Sequence, residues 1–489
     1  MTNGSAGPIR IRRDAWKLAS SDPTLVWYAK AVTELMSRPI ADPTSWRYQA
    51  AIHGYDPAQD PFGKPADVLP SAADQKRFWK QCQHFSWFFL PWHRMYVFYF
   101  EQMIRAAVAK LGGPADWSLP YWNYSDAKNP NARKLPSAFR TPKLPDGSPN
   151  ALFVSARDPG VLAGGKVPTT AVSLRCLKDK IFTGSGTGAA PGFGGPKTVF
   201  SHVGSMVGGL EMTPHGDIHM AVGGALVGGW MTSFDTAALD PIFWLHHANI
   251  DRLWEVWLKR NPTFVNPPDQ DWLNAKGAVF ELHDAHGNRV SLKPRQVVDT
   301  TGAPLDYEYE DVSDPITVPH TPATVALPAD MSAPSRPAEM VGAVTGVDLA
   351  AAPTTAELPI STPRGPASAD FASEATRRAY LNLENVTGEG PLTSFAVYLN
   401  IPEGSKDPHT HQELFAGTLP MFGVKEAMRS DTEHGRSGIT YVLDVTEIVD
   451  HLKKIGSWDP SKLHVTFAPV SAPASDAKAR VGRISLYYQ

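Results

Sequence analysis

Histidine is the residue whose clustering could do chemistry in this chain, because a neutral imidazole binds transition metals and carries protons near neutral pH. Sixteen are present among 489 residues. His215 and His219 lie four residues apart and share one face of any helix through them, so both could hold one ion. His84 and His93 bound the run His84-Phe-Ser-Trp-Phe-Phe-Leu-Pro-Trp-His93, followed by Arg94. On one continuous helix that spacing would put the two rings on opposite sides. Pro91 favours a fresh helix start just before His93, so His84 can approach from the preceding segment. Set among Phe, Trp and Leu, these rings need partners: a metal, or backbone carbonyls in a purely structural role. His246 and His247 are adjacent and point about 100° apart on a helix, so spacing alone does not choose between them. No carboxylate ligand stands out beside these imidazoles. Such a site disfavours magnesium, calcium and the two-His-one-carboxylate iron class; it suits copper or zinc, and copper if the chemistry is redox.

The elements that must position these rings follow from periodicity. Residues 22–37 read as an amphipathic helix, with Asp22 as cap, Pro23 in the first turn, and Leu25, Tyr28, Ala29, Val32, Leu35 and Met36 at helical spacing. A second helix, 91–110, is apolar nearly all round, which predicts burial inside the domain. A third starts at Asp240-Pro241 and runs to about residue 258. Between them, 128–210 is rich in Gly and Pro. Its Gly184-Ser-Gly-Thr-Gly188 run lacks the flanking strand and helix of a phosphate loop and reads as plain loop. Prolines then crowd 313–370, a semi-extended linker without periodicity of its own. Beyond it the pattern turns to period two: Leu463, Val465 and Phe467, then Ile484, Leu486 and Tyr488, with further strands at 393–401, 413–423 and 439–447. A net charge of −3 gives no general electrostatic case for nucleic acid or an anionic membrane as partner. Two Cys exclude a disulfide scaffold and fit a reducing compartment. With no apolar run of spanning length and no signal-like start, the expectation is a cytoplasmic protein.

The stretch from His84 through Arg94 to Glu101, with Asp240-Pro-Ile-Phe-Trp-Leu-His-His-Ala-Asn-Ile-Asp251, resembles both copper motifs of the tyrosinase, catechol oxidase and hemocyanin family. The resemblance implies a type 3 centre of two copper ions in a four-helix bundle, each ion held by three His. The first would take His53, in Ala-Ala-Ile-His-Gly, with His84 and His93. The second would take His215, His219 and His247, the family pattern assigning the ligand to the second His of the pair and leaving His246 to packing or support. Asp271-Trp-Leu273 resembles the opening of the middle domain of plant-like polyphenol oxidases, and Tyr307-Glu-Tyr309 resembles the Tyr-x-Tyr motif closing their catalytic core. The expected fold is therefore a mainly α catalytic domain (1–270) with the dicopper bundle, and a short middle domain (271–312). A Pro/Ala-rich linker (313–370) and a C-terminal β-sandwich or barrel (371–489) follow. In the resembling enzymes such a β-domain shields the copper site until it is removed. Plant members also carry N-terminal disulfides and targeting peptides, which this chain lacks, so a bacterial-type relative is expected.

What the resemblance implies for other residues is specific. Cys82, in Cys82-Gln-His84, matches an arrangement that forms a thioether to the copper ligand in some members. Glu211, four residues before His215, resembles a glutamate that orients a water near the coppers, where it would act as general base. Gly216 stands where strong monophenol hydroxylases carry Asn, which weighs against efficient hydroxylation. Met220 is expected at the substrate entrance, and Phe234 as a bulky gate over the copper. His409-Thr-His411 could bind copper in transit, or be a solvated loop. The implied activity is oxidation of small o-diphenols, and of monophenols if Gly216 permits, to o-quinones with dioxygen, in a latent proenzyme. The segment around Leu419–Phe422 is one candidate for the plug, and an activating protease is a candidate partner. Oligomeric state and trigger are not legible. The rivals are o-aminophenol oxidation and a hemocyanin-like oxygen carrier.

Overall fold

Caps and apolar stripes set the helices that carry the histidines. The computed structural model describes residues 9–19, 22–184, 188–200, 204–276, 280–316, 338–361, 378–429, 437–472 and 474–489. Helix α1 (Thr24–Met36) buries Tyr28, Ala29, Val32 and Leu35, and Asp22 accepts the Thr24 N–H at its start. In α2 (Trp46–His53) the Ser45 hydroxyl caps Tyr48 N–H at 3.1 Å, and Ser71 caps α3 (Ala72–Phe78) in the same way. Helix α4 (Phe89–Lys110) begins two residues before Pro91, whose missing N–H falls in the first turn where none is needed. Its Met95, Val97, Phe98, Phe100, Met103 and Ile104 are all buried, as an all-round apolar helix requires. After the single turn α5 (Pro159–Leu162), a π-helical turn (Glu211–Gly216) leads into α6 (Asp217–Gly223). Helix α7 (Pro241–Arg260) is capped by Asp240, whose carboxylate accepts Ile242 N–H and pairs, fully buried, with Arg157. Helices α2, α4, α6 and α7 each bring a histidine to a common centre. No helix among the described residues is long and apolar enough to cross a membrane.

Short strands trim this helical domain: β1 (Arg10–Arg12), β2 (Thr183–Gly184), β3 (Gly195–Pro196), the hairpin β4 (Phe280–His283) with β5 (Arg289–Leu292), and β6 (Tyr307–Tyr309). Residues 185–187, within the Gly184–Gly188 run read as a loop, lie outside the described residues. The short helix α8 (Gln270–Leu273) holds the Asp-Trp-Leu motif, and Trp272 is buried with its indole N–H on the Trp87 carbonyl at 2.9 Å. Strand β1 pairs in parallel with β6. Through that pairing Arg12 reaches a buried network. Its guanidinium binds Glu101, lies 3.6 Å from the centre of the Tyr307 ring and bonds the Tyr309 hydroxyl. Both tyrosine hydroxyls donate to Asp251 at 2.6 Å, and Arg94 pairs with the same carboxylate. Burial works against the Asp251 charge, yet Arg94 and Arg12 hold its carboxyl below the usual range.

The C-terminal domain is a sandwich of two four-stranded antiparallel sheets, in the orders β11-β10-β13-β8 and β12-β9-β14-β7. Its strands are β7 (Glu339–Leu349), β8 (Thr354–Pro359), β9 (Ala379–Glu389), β10 (Phe395–Leu399), β11 (Phe415–Leu419), β12 (Ile439–Asp444), β13 (Lys462–Pro469) and β14 (Lys478–Tyr488). The period-two residues Leu463, Val465, Phe467, Ile484 and Leu486 are fully buried between the sheets. One boundary differs from the sequence reading. Strands β7 and β8 fall inside the stretch 313–370 read as linker, so the β-domain begins before residue 371; residues 317–337 and 362–377 lie outside the described residues. Both strands sit at sheet edges. Edge strands bury little, here Val341, Leu349, Ala356 and Leu358 among Thr, Ala and Pro, so their composition resembles a linker's.

Candidate metal centre

Two clusters of buried histidines meet inside the bundle. His53, His84 and His93 form one, and His215, His219, His246 and His247 the other; within each, ring nitrogens lie within 4.8 Å of one another. None is more than 3% exposed. In the first cluster His53 ends α2, His84 stands in the segment before α4, and His93 sits one turn into α4. Ring centroids are 5.1 Å apart for His53–His84 and 5.0 Å for His84–His93. The clusters touch where His93 stacks on His247 at 4.6 Å and 12°.

Backbone carbonyls orient these rings. His53 Nδ1 lies 2.9 Å from the Phe234 carbonyl, His93 Nδ1 2.8 Å from that of Phe89, His215 Nδ1 3.1 Å from that of Glu211, and His219 Nδ1 2.9 Å from that of Met231. A carbonyl only accepts, so each Nδ1 carries the proton and each Nε2 presents a lone pair. His93 Nε2 and His215 Nε2 have no hydrogen-bond partner, and His219 Nε2 faces His247 Nε2 at 3.4 Å. Burial, then neighbouring imidazoles, push His93, His215 and His247 far below the usual imidazole range, and burial leads for His219 as well. These rings are therefore neutral, which is the ligand form. Leaving such a nitrogen buried and unpaired costs about 1–3 kcal/mol; a cation between converging lone pairs removes that cost. Neutral imidazoles without a carboxylate among them fit copper or zinc; the six expected ligands lie in these two clusters, and the second also includes His246.

Glu211 is buried, and both its carboxylate oxygens accept the Phe85 N–H at 2.9 Å. Desolvation holds its carboxyl well above the usual range. The Cys82 thiol donates to the His53 carbonyl at 2.9 Å, and burial pushes it up and keeps it protonated. Phe234, expected as a gate over the copper, stands beside the first cluster and against Phe422. Its ring lies 4.1 Å from His84 and 5.5 Å from His53, on the first cluster, because its own carbonyl is tied to His53. Gly216 sits in the π-helical turn, where an added Cβ would meet Pro420 of the β-domain at 3.2 Å. Met220 borders a cavity of about 700 Å³ between the two domains, opposite Met421 and Glu426. His409 and His411 are spent locally: His409 on the Tyr398 hydroxyl, His411 on Ser405 and Glu413.

The β-domain closes the centre. After β11 the chain dips inward, and Phe422 lies flat on His219 with centroids 3.9 Å apart at 11°, 4.8 Å from Phe234. Gly423 permits the dip: its φ is +80°, and a Cβ there would strike Phe85 and Phe234. Thr418 of β11 bonds Asp217 of α6, Tyr441 holds the Pro420 carbonyl at 2.6 Å, and Arg175 holds the Phe415 carbonyl at 2.7 Å. The sequence reading had Phe422 only within a candidate stretch; period-two patterning gives strands, not the aim of the turn that follows one.

Family models match three consecutive parts: the common central domain of tyrosinase over 43–260, the polyphenol oxidase middle domain over 266–317, and a domain of unknown function over 337–489. The chain is 35% identical to the tyrosinase HcTyr1 of Hahella sp. (strain CCB-MM4), over 98% of this chain and 99% of that one. It is 30% identical to a chloroplastic polyphenol oxidase of Malus domestica over 59% of its length, spanning 46% of that relative. In fold it is similar to latent apple tyrosinase, with a TM-score of 0.62 at 22% identity over 99% of both chains. A latent aurone synthase gives 0.63 at 19% identity, over 100% of this chain and 91% of that one.

Proposed function

The chain belongs to the tyrosinase and polyphenol oxidase family of copper enzymes, and we propose that it holds two copper ions, oxidises o-diphenols to o-quinones with dioxygen, and is kept latent by its own β-domain. The observation that carries this reading is the Phe422 ring lying parallel on His219. The space above the second cluster accepts a six-membered aromatic ring face to face with an imidazole, and that is how a diphenol would dock once residues 419–424 withdraw.

His53, His84 and His93 would hold one ion and His215, His219 and His247 the other. When bound, copper supplies the redox chemistry that couples two-electron oxidation of each diphenol to reduction of dioxygen, two diphenols per dioxygen. The protein's residues do the rest. The carbonyls of Phe234, Phe89, Glu211 and Met231 hold the tautomers of His53, His93, His215 and His219, so that these four rings keep their orientation. Phe234, Phe89 and Phe243 exclude water from the rings they touch. Glu211, four residues before His215 and fixed by the Phe85 N–H, would accept the phenolic proton through a bridging water. A thioether from the Cys82 sulfur to His84, two residues on, would lock that ring in place. Forming it would remove one hydrogen from each residue, the two electrons and two protons passing to dioxygen to give hydrogen peroxide, and intact-mass measurement would find a copper-loaded chain lighter by two hydrogens.

Gly216 leaves no side chain to steer a bound water or phenol beside His215, so diphenol oxidation should dominate over hydroxylation. Oxygen uptake by copper-loaded protein with catechol, and separately with a simple monophenol, tests the reading. Uptake with catechol and little with the monophenol is expected. Equal rates would refute the role given to Gly216, and no uptake with either would refute the oxidase.

A further inference from the structure

His246 precedes His247 on α7, is completely buried, and makes no hydrogen bond through either ring nitrogen. The His215 backbone lies close enough to favour its protonated form, against the larger opposing effect of burial. Every neutral imidazole carries one donor and one lone pair, so an unpartnered ring at full burial is uncommon and needs a reason. Packing alone would be served better by Phe or Leu.

Its surroundings supply a reason. A ring nitrogen of His246 stands in the same cluster as those of His215, His219 and His247, all within 4.8 Å of one another. The His246 ring is nearly parallel to His215, at 17° and 5.5 Å, and edge-on to His219 at 5.0 Å. Adjacent residues on a helix point about 100° apart, so His246 and His247 approach the His215–His219 pair from different sides. His247 is also the least braced of that set. His215 and His219 have Nδ1 on a carbonyl, whereas His247 Nδ1 has no hydrogen-bond partner. An unbraced ligand beside an unpartnered imidazole is an arrangement for exchange.

We propose that His246 is a reserve ligand of the second metal site, taking the ion together with His215 and His219 when His247 is displaced or absent. The inference rests on the dicopper reading above. It gives the site a third imidazole at all times, so the ion is retained while one ring moves.

Copper content of the full-length chain tests this, after loading and removal of loose metal, in wild type, His246→Phe, His247→Phe and the double variant. Phe keeps the ring volume and removes the nitrogens. Wild type should hold two ions. His246→Phe should also hold two but release one several-fold faster to a competing chelator, His247→Phe should keep well over one, and the double variant should fall to one. Equal loss in His247→Phe and the double variant, or unchanged release from His246→Phe, would overturn the proposal. A wild-type chain with fewer than two coppers would instead sink the underlying reading. Circular dichroism checks folding, and the Asn variants of both residues replace any Phe variant that misfolds.

Discussion

His93 earns its place through two atoms: Nδ1 is tied to the Phe89 carbonyl one turn back, and Nε2 is left for a metal. Replacing it with Ala should lower copper from two to one per chain and reduce diphenol turnover by roughly a hundredfold or more; metal analysis beside an oxygen electrode would check both. Phe422 makes the opposite prediction. Truncation to Ala removes a buried ring, a change that typically costs about 3–5 kcal/mol, and that loss falls on the closed state. Diphenol oxidation by the intact Phe422→Ala chain should rise by at least about tenfold, since 1.4 kcal/mol is already that much; an unchanged rate would mean that Phe422 does not block the site. Spacing and Pro91 made the pairs His84/His93 and His215/His219 legible as candidates, while His53 and the choice of His247 over His246 rested on the family resemblance. What spacing does not give is whether a ring nitrogen finds a carbonyl. For that reason His246 was left to packing or support, and nothing in the spacing said which of the two clusters Phe234 would face.

At the level of elements, the bundle depends on ties between segments far apart in sequence. Strand β1 brings Arg12 against Glu101 of α4 and Asp251 of α7, and β6 brings Tyr307 and Tyr309 to the same carboxylate. Removing one partner of a buried ion pair leaves the other charged and uncompensated, at about 3–5 kcal/mol. Asp251→Asn should thus lower the thermal unfolding midpoint by several degrees, and a midpoint equal to wild type would assign the fold's stability elsewhere. Helices α1, α4 and α7 were readable because their apolar residues repeat and their starts carry caps or prolines. The edge strands β7 and β8 were not, since an edge strand buries one side only and shares its Thr, Ala and Pro with an unstructured linker.

For the whole molecule, the seam between catalytic and β-domains carries carboxyls held in unfavourable surroundings. Asp179 is pushed up to about 7, by burial first and then by Asp444 across the seam, against the opposing pull of Arg378. Glu426 is likewise pushed up to about 7, by burial and then by Asp235, with Lys425 opposing. When the domains part, both should return toward the ordinary carboxylate range near 4. Raised values in the closed form mean that closure binds protons. The penalty on closure is absent below about pH 4, grows as pH rises toward 7, and is constant above that. The ratio of intact-chain activity to Phe422→Ala activity should therefore climb severalfold from pH 5 to pH 7.5, and Asp179→Asn should flatten part of the climb. A ratio that stays level or falls would show that these carboxyls do not govern closure. Family resemblance made the succession of a helical catalytic domain and a C-terminal β-domain legible; the chemistry of the seam depends on which side chains meet across it, and one-dimensional patterning carries no such information.

Oxygen uptake with catechol, measured side by side on copper-loaded intact chain and on its Phe422→Ala variant, bears most directly on the claim of a dicopper oxidase closed by its own β-domain. Uptake is expected from both, slow in the intact chain and at least about tenfold faster in the variant. No uptake from either, with two copper ions bound per chain, would contradict that claim.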